Sequence, residues 1–547
     1  ELSLGLAAFH IPDNREAARD ALTVWLRRKG VILEAQQRYQ EALVRSGDRQ
    51  AMEVFRELAD VRSQLSRLVF SGPGREDPKA HRARIAGLEA REKELEARLS
   101  KLSQSFAREK KVRRADPAQV ASALPRGGVL VDFALVRPYD YKAFGAEERW
   151  GPAHYLAFVL PAGKPGDLTL VNLGEAGPID REVAKLKTAV SGLNDSSGRM
   201  AGEAGAALYR LVFAKLEKQI KTARHVFISP DGNLNLIPFE VFRGPDGKHL
   251  IQKYSFNYLS SGRDLTGFGL VGGAAGPPLL MGDPDFDLDS KSKRRAMTTL
   301  DLEGRSFVAR RSMETRGMRF SGLPETGLEL AAIRAELGPS AKVYTGAVAL
   351  EEVLLSQKKS PRILHLATHG FFLTDQQIER FSGRGLALTD AAPLPGGMRI
   401  ENPLLRSGLA LAGANRGADS TGSEGGDGLF TAEEVLGLNL RGTDMVVLSA
   451  CNTGVGEVQL GEGVYGLRRA FLQAGAESLV MSMWPVPDRE TKELMETFYK
   501  HISFGKMSRA EALRQAALEQ LEAARERYGH PHPLFWGAFV YMGNPGH

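Results

Sequence analysis

The sequence predicts an α/β fold: a largely parallel sheet flanked by helices, preceded by a helical hairpin arm. Three observations carry this. Short apolar runs rich in Val, Ile and Leu, such as Ile363–Leu366 and Met445–Leu448, have no helical period and read as strands buried on both faces of a parallel sheet. Amphipathic stretches of helical length alternate with them, the pattern of crossover units. Before about residue 125 the period is helical instead.

In chain order, residues from about Asn14 to Arg114 read as helices. Val54, Leu58, Val61, Leu65 and Leu68 repeat at alternating four and three. Ile85, Leu88, Leu95, Leu99, Leu102 and Phe106 do so after the Ser71-Gly72-Pro73-Gly74 break, which suggests an antiparallel hairpin over residues 1–124. A first α/β half is expected over 125–265. Its strands are Val129–Val136, His154–Leu160, Leu168–Leu173 and His225–Ser229, and its helices Val183–Val190 and Gly205–Ile220. Gly267-Phe268-Gly269-Leu270-Val271-Gly272 matches a dinucleotide fingerprint, but Gly276-Pro277-Pro278 follows where a helix should open, so it reads as a linker.

The second α/β unit, 266–547, begins with the strand Leu279–Gly282. Residues 287–326, with Ser290-Lys291-Ser292-Lys293-Arg294-Arg295, read as a long surface loop open to proteolysis, and Lys291–Arg311 as an autoprocessing candidate. Helix Gly327–Leu337, strand Lys342–Tyr344 and helix Leu350–Ser356 follow. After the strand ending at Ala367 comes a glycine-rich loop, Gly413–Gly428, then a helix from Thr431 with Glu434 three residues on, a capping box. Past the strand ending at Ser449, helix Gly463–Ala474, strand Ser478–Trp484 and helices Glu490–His501 and Arg509–Arg527 close the unit.

Composition narrows the function. The 547 residues are 43% hydrophobic and 25% charged, ordinary for a globular protein. A net charge of +6 is small at this size and gives no reason to expect nucleic acid or an anionic membrane surface. No apolar run approaches the roughly 20 residues of a membrane span. One cysteine excludes an internal disulfide and suggests a reducing, cytoplasmic setting. The start at Glu1 rather than Met is expected of a fragment or processed product.

That single cysteine, Cys451, directly follows an apolar strand, as His369-Gly370 follows another. In open α/β sheets the chemistry lies just beyond the carboxyl ends of the strands. A Cys and a His there form a candidate nucleophile and base, the imidazolium lowering the thiol pKa. The backbone N–H groups of Gly370 and Cys451 are the expected oxyanion donors. Taken alone, a lone cysteine on an apolar strand is more often a buried inert thiol; the His-Gly at a second strand end tips the balance. His365 and His369 also spell H-x-x-x-H. On a strand they stand about 13 Å apart, too far for a shared zinc, so no metal or cofactor is expected. His365 reads as a satisfied core histidine, or one supporting the site from behind. No Walker A loop or G-x-S-x-G elbow is present.

His365-Leu-Ala-Thr-His369-Gly370, Leu448-Ser-Ala-Cys451-Asn-Thr-Gly454, Gly461-Glu-Gly463, Ala470-Phe-Leu-Gln-Ala-Gly475-Ala and Trp484-Pro-Val-Pro-Asp488 resemble the CHAT family of caspase-like cysteine peptidases, relatives of the separases. The resemblance runs from about residue 127 to the C-terminus and includes Ser229-Pro-Asp-Gly232 and Leu236-Ile-Pro-Phe239. It implies a caspase-like sheet built from a pseudo-caspase half and a catalytic half, and an endopeptidase with a His369–Cys451 dyad acting on a protein substrate. It also implies activation by a regulatory partner or upstream tetratricopeptide repeats, often in bacterial defence or programmed death. The helical arm shows no clear 34-residue repeat. By analogy with separases, Asp488 is a specificity acid for a basic residue before the cut, with Asp283 a second candidate; a helix N-cap is the alternative role for Asp488. No third member of a triad is evident. The competing reading is a non-enzymatic scaffold with the same fold, and a weaker one is acyl transfer through the same nucleophile.

Overall fold

A computed structural model describes residues 2–29, 53–54, 57–58, 61, 64, 77–102, 112, 114–143, 149–191, 195, 197–269, 274–302, 315, 318–373, 403–416, 426–450, 462–504 and 507–546. Among these, eleven strands form one sheet and three form a small second one. The first part supplies β1 (Gly128–Val136), β2 (His154–Pro161), β3 (Thr169–Glu175), β4 (His225–Ser229) and β5 (Ser255–Tyr258). The second supplies β6 (Leu279–Pro284), β7 (Lys342–Gly346), β8 (Ile363–Ala367), β12 (Met445–Ser449), β13 (Ser478–Ser482) and β14 (Phe539–Gly543). The sheet order is β3-β2-β1-β4-β5-β14-β13-β12-β8-β6-β7. β1, β4, β5 and β14 run parallel, as do β13, β12, β8, β6 and β7. The two sets meet at the antiparallel β13–β14 pair. β9 (Gly370–Phe372), β10 (Ser407–Ala410) and β11 (Leu429–Thr431) make the small antiparallel sheet.

Every residue of β8 and β12 is buried, which explains their unbroken apolar sequences: both faces are covered. β1 sorts its side chains with period two. Val129, Val131 and Phe133 enter the core that runs through the whole sheet, while Leu130, Ala134 and Val136 enter a second core. That second core is closed by Leu22 and Leu26 of helix Arg15–Arg28 and by Val120 of helix Pro117–Ala123. The segment from Pro78 to Leu102 is helical, and its Leu88 and Leu95 pack with Val54, Leu58 and Val61. Leu65, Leu68 and Phe106 lie outside the described residues, as do the side chains of Leu99 and Leu102.

Helix Arg15–Arg28 is fixed to the first half by a buried polar cluster around Asp132. Its carboxylate accepts from Trp25 Nε1 at 3.0 Å, Lys29 Nζ at 2.8 Å and the Gly262 N–H at 2.9 Å. Lys29 also donates to the carbonyls of Phe133 and Ser229, each at 3.0 Å, and to Ser229 Oγ at 2.6 Å. A Cβ at Gly262 would lie 2.5 Å from Leu130 Cδ2 and 2.9 Å from Asp132 Oδ2, so glycine leaves room for this close approach.

Three readings need correction. Residues 287–326 are not one loop: Ser290–Thr299 is a helix, whose first turn Asp289 caps by accepting from the N–H groups of Lys291 and Ser292. Its polar sequence hides it because Ala296 alone is buried. The autoprocessing candidate Lys291–Arg311 is therefore helical over its first nine residues, and most of its remainder lies outside the described residues. Helix Gly205–Ile220 is instead Arg199–Leu211, followed by two short turns at Phe213–Lys215 and Glu217–Ile220. Its earlier start exposes Met200 and buries Ala201 and Ala204, small residues that give no apolar signal of their own. Asp488 is the first residue of helix Asp488–Phe504 and not the residue before it. No described helix is long and apolar enough to cross a membrane.

One buried carboxyl gives a stability prediction. Glu240 accepts from Tyr258 Oη at 2.6 Å, and burial pushes its pKa up from 4.5 to about 7. The folded chain thus holds this proton more tightly than the unfolded one. The associated stability is complete below the unfolded value and is lost as pH rises through about 7. A shift of this size corresponds to roughly 3 kcal/mol. Glu240→Gln flattens that part of the pH dependence, measured by urea denaturation between pH 5 and 8.

Candidate active site

The site is built at one end of four neighbouring parallel strands, β6, β8, β12 and β13. Ala367 of β8 pairs with Ser449 of β12, so His369 and Cys451 each come two residues after the last paired position. Gly282 of β6 pairs with Ala367, which puts Asp283 level with the start of the His369 turn. Asp488 follows β13, the neighbour on the other side of β12. Asp283 thus lies at the end of β6, one neighbour of the central β8–β12 pair, and Asp488 comes six residues after the end of the other, β13. Cys451 and Asn452 lie outside the described residues. The residue before them does not: a Cβ added at Gly370 would be 3.7 Å from Ala450 Cβ. The chain just after His369 thus touches the chain just before Cys451.

His369 is half-buried against Phe286 and Phe320, with ring centroids 5.4 and 5.8 Å away, and those two rings touch each other, their centroids 5.8 Å apart. Its Nε2 is 2.9 Å from the Ser321 carbonyl oxygen. A carbonyl only accepts, so Nε2 carries a proton, and in the neutral ring the free lone pair is then on Nδ1. The His369 carbonyl accepts from the Ala410 N–H at 2.8 Å, and Thr368 Oγ1 donates to the Ala410 carbonyl at 2.5 Å. The small sheet thereby holds the turn that presents the histidine, with Gly370 opening β9 opposite Leu409.

The structure supplies what the sequence lacked, an orienting group for His369. It is a backbone carbonyl, so the identity of Ser321 carries no signal for it. Segment 318–323 is held in place by Asn415, whose side-chain oxygen accepts from the Phe320 N–H at 2.8 Å while its Nδ2 donates to the Phe320 carbonyl at 3.0 Å.

Asp283 has φ 45°, left-handed backbone that is unusual for a residue other than glycine. Its N–H donates to Thr326 Oγ1 at 2.8 Å, and its carboxylate lies beside Gly327 in the first turn of helix Pro324–Leu337. This negative charge near a helix N-terminus is favourably placed. Asp488 is exposed. Beneath the strand ends, His365 is fully buried. Its Nδ1 is 3.1 Å from Tyr499 Oη and its Nε2 is 2.9 Å from Glu329 Oε1.

The family model of the CHAT domain matches residues 202–544. Tetratricopeptide repeat protein 28 of Homo sapiens is 24% identical over 352 residues, 62% of this chain and 13% of that protein. The Mus musculus protein of the same name is 31% identical over 116 residues, 21% of this chain and 4% of its own length. The chain thus spans a small part of the curated relatives it matches. Among solved structures, separase from a Saccharomyces cerevisiae separase–securin complex aligns with 98% of this chain and 41% of its own, at 10% identity and a TM-score of 0.40. Gingipain R aligns with 68% of this chain and 74% of its own, at 10% identity and a TM-score of 0.33.

Proposed function

Because the chain belongs to the CHAT domain family, whose model covers well over half of it, we propose that it is a cysteine endopeptidase working through His369 and Cys451. The observation that carries this reading is the strand register: β8 and β12 are adjacent and parallel, and each candidate stands two residues beyond the same paired rung.

In this mechanism Nδ1 of His369 takes the thiol proton while Nε2–H remains on the Ser321 carbonyl. The Cys451 thiolate attacks the peptide carbonyl carbon, and the N–H groups of Gly370 and Cys451 receive the oxyanion. Collapse of the adduct breaks the C–N bond, and the imidazolium gives its proton to the leaving amine. A water deprotonated by His369 then cleaves the thioester, returning the free thiol and releasing the carboxylate product. A scaffold has no physical need for a Cys and a His just past the ends of two adjacent strands, nor for a carbonyl aimed at the imidazole.

The substrate is a polypeptide, with a basic residue preferred before the cut. Asp488, exposed beyond β13, is the acid we assign to it; Asp283 lies against helix Pro324–Leu337 and is the second candidate. Asp488→Ala removes cleavage after Arg or Lys by at least about tenfold in kcat/KM, the scale of one lost charge-assisted contact, with the fold retained. An unchanged preference removes the assignment. The tetratricopeptide repeat protein among the relatives supports regulation by upstream repeats or an activating partner. A role in defence or programmed death follows from the same family resemblance. The test is a peptide-library digest by the wild type and Cys451→Ala, with and without a candidate partner. Cuts that depend on Cys451 support the proposal, and identical product patterns from both proteins remove it.

A further inference from the structure

Glu329, in helix Pro324–Leu337, is 2% exposed and faces the undersides of both site strands. Its Oε1 is 2.9 Å from His365 Nε2 in β8, an ion-pair distance without the in-line approach of a hydrogen bond. Its Oε2 accepts from Ser449 Oγ in β12 at 3.3 Å. His365 is held from its other nitrogen by Tyr499 Oη at 3.1 Å, on helix Asp488–Phe504. One carboxylate therefore joins the two strands, four residues before His369 on one and two before Cys451 on the other. Among the described residues these are its polar contacts.

Such a group is costly. Moving a carboxylate out of water carries a penalty of several kcal/mol even after relaxation, and apolar residues of similar volume often serve stability as well or better. The position needs another reason, and the helix itself suggests one. The segment leading into it presents the Ser321 carbonyl to His369, its first turn receives the Asp283 N–H at Thr326, and its next turn carries Glu329. The helix thus contacts three site strands at the level of the chemistry.

We infer that Glu329 is a positioning residue: by holding His365 and Ser449 together it fixes the separation of the strand ends that carry His369 and Cys451. This rests on the peptidase reading above. An error of about 1 Å in such a pair costs on the order of 10²-fold in rate. The effect falls on the chemical step, because Glu329 is sealed from any bound peptide.

The test uses Glu329→Gln, Ser449→Ala and Tyr499→Phe in the whole chain, assayed on a peptide taken from the library digest, with thermal melts for each. The expected result is a kcat lower by on the order of 10²-fold for Glu329→Gln and about tenfold for Ser449→Ala, with KM unchanged. Tyr499→Phe keeps the ring packing and falls between wild type and Glu329→Gln. Wild-type kcat in folded Glu329→Gln, or rate losses that only track the folded fraction, overturn the inference. Should Glu329→Gln not fold, Ser449→Ala, which removes one hydroxyl, decides in the same way. A wild type without Cys451-dependent cleavage overturns the peptidase reading instead, an outcome distinct from an active wild type matched by its variants.

Discussion

His369→Ala lowers kcat/KM for peptide cleavage by on the order of 10² to 10⁴-fold, the range that a positioned acid–base group supplies. The variant loses both halves of the proton traffic: nothing takes the Cys451 proton at neutral pH, and nothing returns it to the leaving amine. Binding is expected to survive, because the half-buried ring packs against Phe286 and Phe320, two rings that remain and touch each other. The loss therefore appears in kcat with little change in KM, and steady-state kinetics on one peptide checks it. A companion change, Asn415→Ala, frees segment 318–323 and with it the Ser321 carbonyl. It gives a smaller loss in the same direction, because the imidazole keeps its chemistry and loses its orientation.

Asp132→Ala is the substitution expected to cost most in stability, about 3–5 kcal/mol. Its carboxylate is fully buried and the Lys29 side chain nearly so, at 0% and 9% exposure, so removing the acid leaves a buried ammonium without its ion-pair partner, held by the Phe133 and Ser229 oxygens and the field of Asp231. Trp25 Nε1 and the Gly262 N–H lose their acceptor in the same step. Lys29→Met alone is milder, since the carboxylate keeps those two donors. The double variant recovers part of the loss because no lone charge remains. Urea denaturation of the four proteins measures this cycle. Limited proteolysis gives an independent reading: helix Arg15–Arg28 is held to the sheet by this cluster and by Leu22 and Leu26, so Asp132→Ala is cut there first.

Much of the fold was legible because its strands are of the easiest kind. β8 and β12 are covered on both faces and so have to be apolar throughout, and glycine or small residues mark where they stop. The capping box at Thr431 and Glu434 was equally readable, since it is made by side chains at a fixed spacing. Helix Ser290–Thr299 was missed for the opposite reason. A helix with one buried alanine shows no apolar stripe, and its start depends on Asp289, a residue as common in turns as in caps. In the arm, the described residues include helices Arg15–Arg28 and Pro78–Leu102, but periodicity could not say what a helix there covers. Leu22 and Leu26 of helix Arg15–Arg28 close a core against β1, a partner more than a hundred residues away.

The site divides in the same way. His369 and Cys451 stand out because reactive residues just past apolar strands are chemically conspicuous, while the adjacency of those two strands, with Ala367 opposite Ser449, is a matter of register that only the sheet shows. The Ser321 carbonyl is backbone and has no residue signature. Glu329 sits in a helix where a glutamate passes for a solvated residue, and it is the fold that turns it inward. For His365 the sequence leaves open a satisfied core histidine or one supporting the site from behind, and its link through Glu329 to Ser449 is visible only in the structure.

The central claim is that the Cys451 thiol and the His369 imidazole meet at these strand ends. Iodoacetamide labelling of Cys451 at pH 7, followed by mass spectrometry in wild type and His369→Ala, measures it most directly, because the thiolate and not the thiol reacts. Rapid labelling in the wild type that slows by at least about tenfold in His369→Ala is the predicted result. Equal rates in the two proteins, whether fast or slow, would contradict it.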